Sequence, residues 1–234
     1  MTIVELMKIA PGSNWLNEDG ERIQLAFLPG MSEDAIAEIE VRLGAKLPID
    51  LLETMKLCSG IDGLDVEIDF TTKFFQYGHL EGLNRGFGFA HDGFGNYWYA
   101  DVLSEQELCA QVFFLSHDPP EIDYSHTSIS AFLEDAVNSA KEPDRLMDES
   151  GTNGRTWAEP ITHSDALEAD DAMRGFATSL SPDHVILDLG NPTVYGSIDY
   201  LKISSDLSRH SEQRIFAYVP KKKSKGLFSR LFGR

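Results

Sequence analysis

Two dipeptides join a histidine to an aspartate, His91-Asp92 and His117-Asp118, and that pairing invites a metal-dependent phosphohydrolase reading. Such a centre needs a further His and Asp held on helices, whereas both dipeptides fall at the ends of candidate strands. His79, His91, His117 and His126 show no H-x-x-x-H spacing, which would put two imidazoles on one helical face. Gly86-x-Gly88 and Gly93-x-Gly95 lack the lysine and the following helix of a phosphate cradle. No Ser, Thr or Cys stands in a recognisable nucleophile setting. These residues predict no catalytic group, no metal and no cofactor, and an enzyme is the least supported function class.

What remains is recognition. Asp92, Asp101, Asp118, Glu121 and Asp123 fall at strand ends and in the loops beside them. With Trp98 or Tyr99 as an aromatic anchor they are the candidate partner-binding residues, an acidic edge around a large ring. The structural alternative is that Asp92 shapes its own turn, Asp101 accepts backbone hydrogen bonds, and Trp98 is core and more than half buried. Asp65, Glu67 and Asp69 form an acidic strand face whose simplest role is to meet water.

Charge narrows the partner. The 234 residues carry a net −18, yet the segment from Lys221 onward has six basic residues and no acid, which leaves −24 for residues 1–220. A body that acidic repels nucleic acid and anionic membrane and attracts basic proteins. Acidity that serves only solubility is the bland alternative. Hydrophobic residues at 42% suffice for a packed core and exclude global disorder. No apolar run approaches the roughly 20 residues of a membrane span, and the first residues lack the pattern of a secretory leader. Cys58 and Cys109 sit beside Leu57 and Leu108 and read as reduced, buried thiols. Together these point to a cytoplasmic protein.

The elements that would position these residues follow from periodicity. Residues 1–28 read as a short helix and an extended piece. Ser32 is an N-cap with Glu33 and Asp34 in the first turn. Ile36, Ile39 and Leu43 share one helical face, and Gly44 ends that helix. Leu47-Pro48 opens a second helix with Leu51, Leu52 and Met55 inward and Gly60 at its end. From Val66 the period becomes two. Strands are expected at Val66–Phe70, Phe74–Leu80, Phe87–Phe89, Tyr97–Val102 and Gln111–Leu115, with a tight turn at His91–Asn96. Ser128 caps a further helix that turns Ile129, Phe132, Leu133, Ala136, Val137 and Ala140 inward. Residues 141–161 read as a connection. Thr162–Leu180 reads as one helix with Leu167, Met173, Phe176 and Leu180 inward. Val185–Leu189, Ser197–Ile203 and Ile215–Val219 are extended, joining the first sheet or forming a second layer. The expected class is α+β, an antiparallel meander packed against helices.

The order of these elements and several residues within them resemble the SUKH superfamily, which holds fungal cell-wall regulators of the Smi/Knr type and many bacterial immunity proteins. Ile36-x-x-Ile39-Glu40-x-x-Leu43-Gly44-x-x-Leu47-Pro48 is similar to its opening helix and turn. Ser59-Gly60 stands where members often carry Asn-Gly at the end of the second helix. Asp92-Gly93-x-Gly95-Asn96-x-Trp98-x-x-Asp101 resembles its central hairpin, Phe113-x-x-x-His117-Asp118 the next strand, and Ser130-x-Phe132-Leu133 its closing helix. The likeness covers about residues 30–137. It implies a SUKH-like domain over 1–140; residues 141–220, outside the likeness, are expected to form an α/β extension packed on it, and 221–234 a basic tail. It also implies a non-enzymatic immunity protein that occludes the basic active site of a cognate toxin. The alternative is a housekeeping interaction scaffold or regulator tethered to a membrane surface by its tail. In that tail Lys221, Lys222, Lys223 and Lys225 precede Leu227, Phe228, Leu231 and Phe232, which would share one helical face. The pattern suits a membrane-surface or partner-docking helix, although so short a helix does not hold alone, and the acidic body argues against membrane contact.

Overall fold

The computed structural model describes residues 3–9, 15–16, 21–71, 83, 85–103, 108–141, 156–191, 193–210 and 213–222. In chain order these form α1 (Ile3–Ile9), β1 (Trp15–Leu16), β2 (Arg22–Ile23), β3 (Ala26–Pro29), α2 (Glu33–Leu43), α3 (Ile49–Leu57), β4 (Cys58–Asp62), β5 (Glu67–Asp69), β6 (Gly86–His91), β7 (Tyr97–Asp101), β8 (Gln111–His117), β9 (Pro120–His126) and α4 (Ile129–Lys141). The chain then continues through β10 (Thr156–Trp157), β11 (Ile161–Thr162), α5 (His163–Leu167), α6 (Asp171–Thr178), β12 (Val185–Asp188), β13 (Val194–Tyr195), β14 (Ser197–Asp199), a 3-10 turn at Tyr200–Lys202, β15 (Ser208–Arg209) and β16 (Ile215–Tyr218).

The fold is α+β, and its centre is an antiparallel meander. Strands β9, β8, β7, β6, β5, β4 and β3 lie side by side in reverse chain order, and β14 closes the row beside β9. The four helices on one face are placed by local chemistry. Ser32 caps α2 through its Oγ, which accepts from Ala35 N–H at 3.3 Å, and Gly44 ends it with φ 64°. Ser128 caps α4, its Oγ accepting from Ala131 N–H at 3.0 Å. Ile36, Ile39, Leu51, Met55, Phe132, Leu133 and Val137 pack onto Phe87, Phe89, Trp98 and Phe114 of the sheet.

The other face of the sheet is covered as well, so its central strands carry aromatics at successive positions rather than in alternation. Trp98 and Phe114 point to the helices, while Tyr99, Phe113 and Tyr124 pack with Leu187, Leu189, Leu207 and Phe216. Leu187 and Phe216 lie in a second antiparallel sheet, ordered β11-β12-β16-β15, with Leu189 and Leu207 next to its strands, and its far side is lined by Ala166, Met173 and Ala177 of α5 and α6. The result is four layers: helices, large sheet, small sheet, helices. The extended segments after residue 180 thus take both courses open to them, β14 in the first sheet and β12 and β16 in the second.

Several expectations are corrected. Thr162–Leu180 is two helices, because Asp170 caps α6 by accepting from Met173 N–H at 3.0 Å; Leu167, expected inward, is exposed. Ser59-Gly60 does not end α3 but lies inside β4, where a Cβ on Gly60 would meet Ile68 O at 2.6 Å. Close strand approach selects that glycine. Cys58 is buried, its thiol donating to Gly60 O at 2.7 Å and pushed up by burial, but Cys109 is exposed. The strand expected at Phe74–Leu80 and the tail residues Lys223, Lys225, Leu227, Phe228, Leu231 and Phe232 lie outside the described residues. Lys221 and Lys222 are described and exposed.

Asp50 ties the helical layer together. Its Oδ1 accepts from Leu51 and Ala110 N–H, both at 2.8 Å, and its Oδ2 from Ile129 N–H at 3.1 Å. Burial raises the carboxyl, and the backbone donors oppose that shift. Replacing Asp50 with Ala strands the N–H groups of Ala110 and Ile129. The expected loss is about 1–3 kcal/mol in urea denaturation; a variant as stable as the parent would show that water satisfies both donors.

Candidate functional site

The seven candidate residues separate into three groups. Trp98, Tyr99 and Asp101 are about 1%, 1% and 0% exposed, so they are corrected from partner surface to interior. Trp98 lies under the helices, Tyr99 under the second sheet. Asp101, expected to accept backbone bonds, holds two arginines instead: Arg209 donates Nη1 and Nη2 to its two carboxylate oxygens at 2.8 Å each, and Arg214 donates Nε to Oδ2 at 2.6 Å and Nη2 to its carbonyl at 3.0 Å. Burial alone would raise this carboxyl; the charge and hydrogen bonds of Arg209, then of Arg214, outweigh it and hold it below the usual carboxylate range.

Asp92 and Asp118 sit at one end of the sheet, in turns. Asp92 Oδ1 accepts from Phe94 and Asn96 N–H at 2.8 and 3.2 Å, and Oδ2 from Asn96 Nδ2 at 2.5 Å. Gly93 and Gly95 supply the positive φ of that turn, 80° and 99°. Asn96 Oδ1 in turn accepts from His117 N–H at 3.1 Å, which fixes the two turns against each other. Asp118 is exposed in the second of them. His91 Nε2 meets Glu67 Oε2 at 2.9 Å and His126 Nε2 lies 3.6 Å from Asp135 Oδ2. Among the described residues no cluster of three His, Cys, Asp or Glu could hold a metal ion.

Glu121 and Asp123 form the third group and do come together in a cleft. Both lie in β9, a strand not expected from the sequence. The two-residue period and the pairing of Asp199 opposite Glu121 and Ser197 opposite Asp123 put three carboxylates on one face of β9 and β14. Like charges directly opposite each other are unfavourable, and Lys202 relieves this pair by donating Nζ to Asp199 Oδ2 at 2.7 Å. The cleft they line has a volume of about 570 Å³, with Trp157, Glu159, Tyr195 and Tyr218 on its other wall. The parallel pairing of β10 with β13 sets Trp157 edge-on to Tyr195, ring centroids 5.0 Å apart. Trp157 remains 44% exposed. Tyr218 registers the local field: burial first, then the charges of Asp199 and Glu159, raise its hydroxyl, against the opposing charge of Lys202. Sequence reasoning missed Trp157, Glu159, Tyr195, Asp199, Lys202 and Tyr218, since only the joining of β14 to β9 brings them near Glu121.

Beside this cleft and sharing Glu121 is a second cavity of about 500 Å³, lined chiefly by Tyr97, Tyr99, Leu115, Ile122 and Tyr200. The arrangement offers carboxylates, ring faces and one committed lysine. It can receive cationic side chains with apolar stems.

No curated protein and no solved structure matches the chain. Residues 30–135, from three residues before α2 into α4 and including β9, match the SMI1 / KNR4 family (SUKH-1), which bears out the resemblance to the SUKH superfamily over that stretch.

Proposed function

We propose that the chain is a non-enzymatic binding protein of the immunity type, which captures a basic bacterial toxin in the cytoplasm and occludes its active site. The observation that carries this reading is the directly opposed pair Glu121 and Asp199, joined by Asp123 and Glu159 in a cleft where Lys202 is the one lining cation among the described residues. Lys202 bonds to Asp199 and offsets part of that repulsion; an incoming cation would relieve the remainder, so part of the pair's ion-pairing capacity is offered outward. The body charge of −24 adds long-range attraction that would speed encounter and repel nucleic acid. The family match supports the class, since the SUKH resemblance implies immunity proteins among its members. Glu121 and Asp123 are retained as partner-binding residues. Asp92 and Asp118 are proposed as flanking contributors at the end of the sheet.

Co-expression with the product of the adjacent reading frame tests this. Rescue of growth by the chain, and its loss when the chain is omitted, is the expected outcome. Unrelieved toxicity in the presence of folded chain would contradict the immunity reading. The scaffold alternative keeps one support, the exposed Lys221 and Lys222 at the start of the basic tail, and predicts tail-dependent sedimentation with anionic vesicles. No helix among the described residues is long and apolar enough to cross a membrane.

A further inference from the structure

We infer that the tyrosine-lined cavity beside the acidic cleft is an anchor site for one arginine side chain of a basic protein partner. The inference rests on the reading of the partner as basic, not on its being a toxin. Tyr97 and Tyr200, both half-buried, contribute two accessible phenol rings; the buried Tyr99, its ring centroid 6.3 Å from that of Tyr97, backs them, and Leu115 and Ile122 close the apolar floor. The volume of about 500 Å³ falls in the range of sites that enclose a small ligand. A wholly apolar group would fill such a site by area alone, but two features select a cation.

The first is Glu121, which lines both this cavity and the cleft. Lys202, the cation on its side of the sheet, gives its hydrogen bond to Asp199 at 2.7 Å and acts on Glu121 through its charge, which leaves the Glu121 carboxylate able to accept from an incoming donor. The second is the ring set. Tyrosine faces attract cations through the ring quadrupole, and a guanidinium stacks on them with its planar face while its edge donors reach a carboxylate. An ammonium is a compact, strongly hydrated charge and loses more on entering an apolar recess. Arginine also carries three methylenes that suit Leu115 and Ile122. Tyr200 directly follows Asp199, so the cavity adjoins the carboxylates of the cleft.

The test uses the full chain, labelled with 15N, titrated with N-acetyl-arginine amide and with N-acetyl-citrulline amide, its neutral isostere. The arginine probe is expected to shift the amides of Tyr97, Glu121 and Tyr200 with a dissociation constant on the order of millimolar, and citrulline to bind about tenfold more weakly. Glu121→Gln keeps the rings and volume and should bring the arginine probe down to the citrulline level. Tyr200→Leu keeps an apolar wall and should weaken arginine about tenfold. Equal binding of the two probes, or arginine shifts spread over other acidic surfaces and untouched by Glu121→Gln, would overturn the inference. That result would leave growth rescue standing, because the cleft can act without an anchor. Failure of rescue with arginine bound as described would remove the toxin and keep the site.

Discussion

Replacing Asp101 with Ala is expected to destabilise the protein by about 3–5 kcal/mol, on the order of a 10 °C fall in Tm for a chain of this size. The carboxylate is fully buried and is the shared acceptor of Arg209 and Arg214, both themselves buried or nearly so. Removing it takes the shared carboxylate from two guanidiniums in the interior, with Arg209 still 5.3 Å from the Phe216 ring centroid. The pH dependence follows from the depressed carboxyl. In the unfolded chain it titrates near about 4; in the folded chain it titrates lower. Its contribution is therefore whole above the unfolded value and is lost as pH falls through the folded value. The gap between parent and Asp101→Asn should narrow on acidification below about pH 4. A gap that widens there would contradict the assigned shift. Exchanging all three residues for Leu, Met and Met should recover much of the loss, as buried ion clusters often can be replaced by apolar ones. Recovery would show that the triad serves more to fix how Arg209 and Arg214 seat on β7 than to add net stability.

The second large effect is on partner affinity. Glu121→Lys with Asp123→Lys reverses two of the cleft's carboxylates and should weaken capture of the basic partner on the order of a hundredfold, about 2.7 kcal/mol. Glu38→Lys with Asp65→Lys makes the same change in net charge at exposed positions away from the cleft. It should alter affinity only severalfold, through the long-range field. Calorimetric titration of both double variants separates the cleft from the general acidity of the body. Equal losses in the two would assign recognition to net charge alone.

The helical layer and the centre of the meander were legible because their signals are local. Ser32, Gly44 and Ser128 are caps whose effect needs no distant residue, and Asp92–Asn96 closes its own turn. The strand β9 was hidden by Pro119-Pro120 and by Glu121 and Asp123, which read as a polar loop although Ile122 and Tyr124 alternate with them. Adjacent aromatics such as Trp98 and Tyr99 look like an interface anchor until the second sheet is seen to cover the other face. Asp101 finds its partners 108 and 113 residues further on, in or just before strands of two to four residues whose period is too short to read. Cys109 sits next to Leu108, and both are exposed; an apolar neighbour was no sign of a core there. The site suffered most, because nine of the twelve residues lining the cleft lie beyond the stretch that the family model covers.

The most direct test is the dissociation constant of the captured partner measured as ionic strength rises from about 50 to about 500 mM, a range in which the screening length falls well below the width of a protein interface. Electrostatic capture by the carboxylate cleft predicts weakening of tenfold or more, carried mainly by a slower association rate. An affinity that stays flat across that range would contradict it.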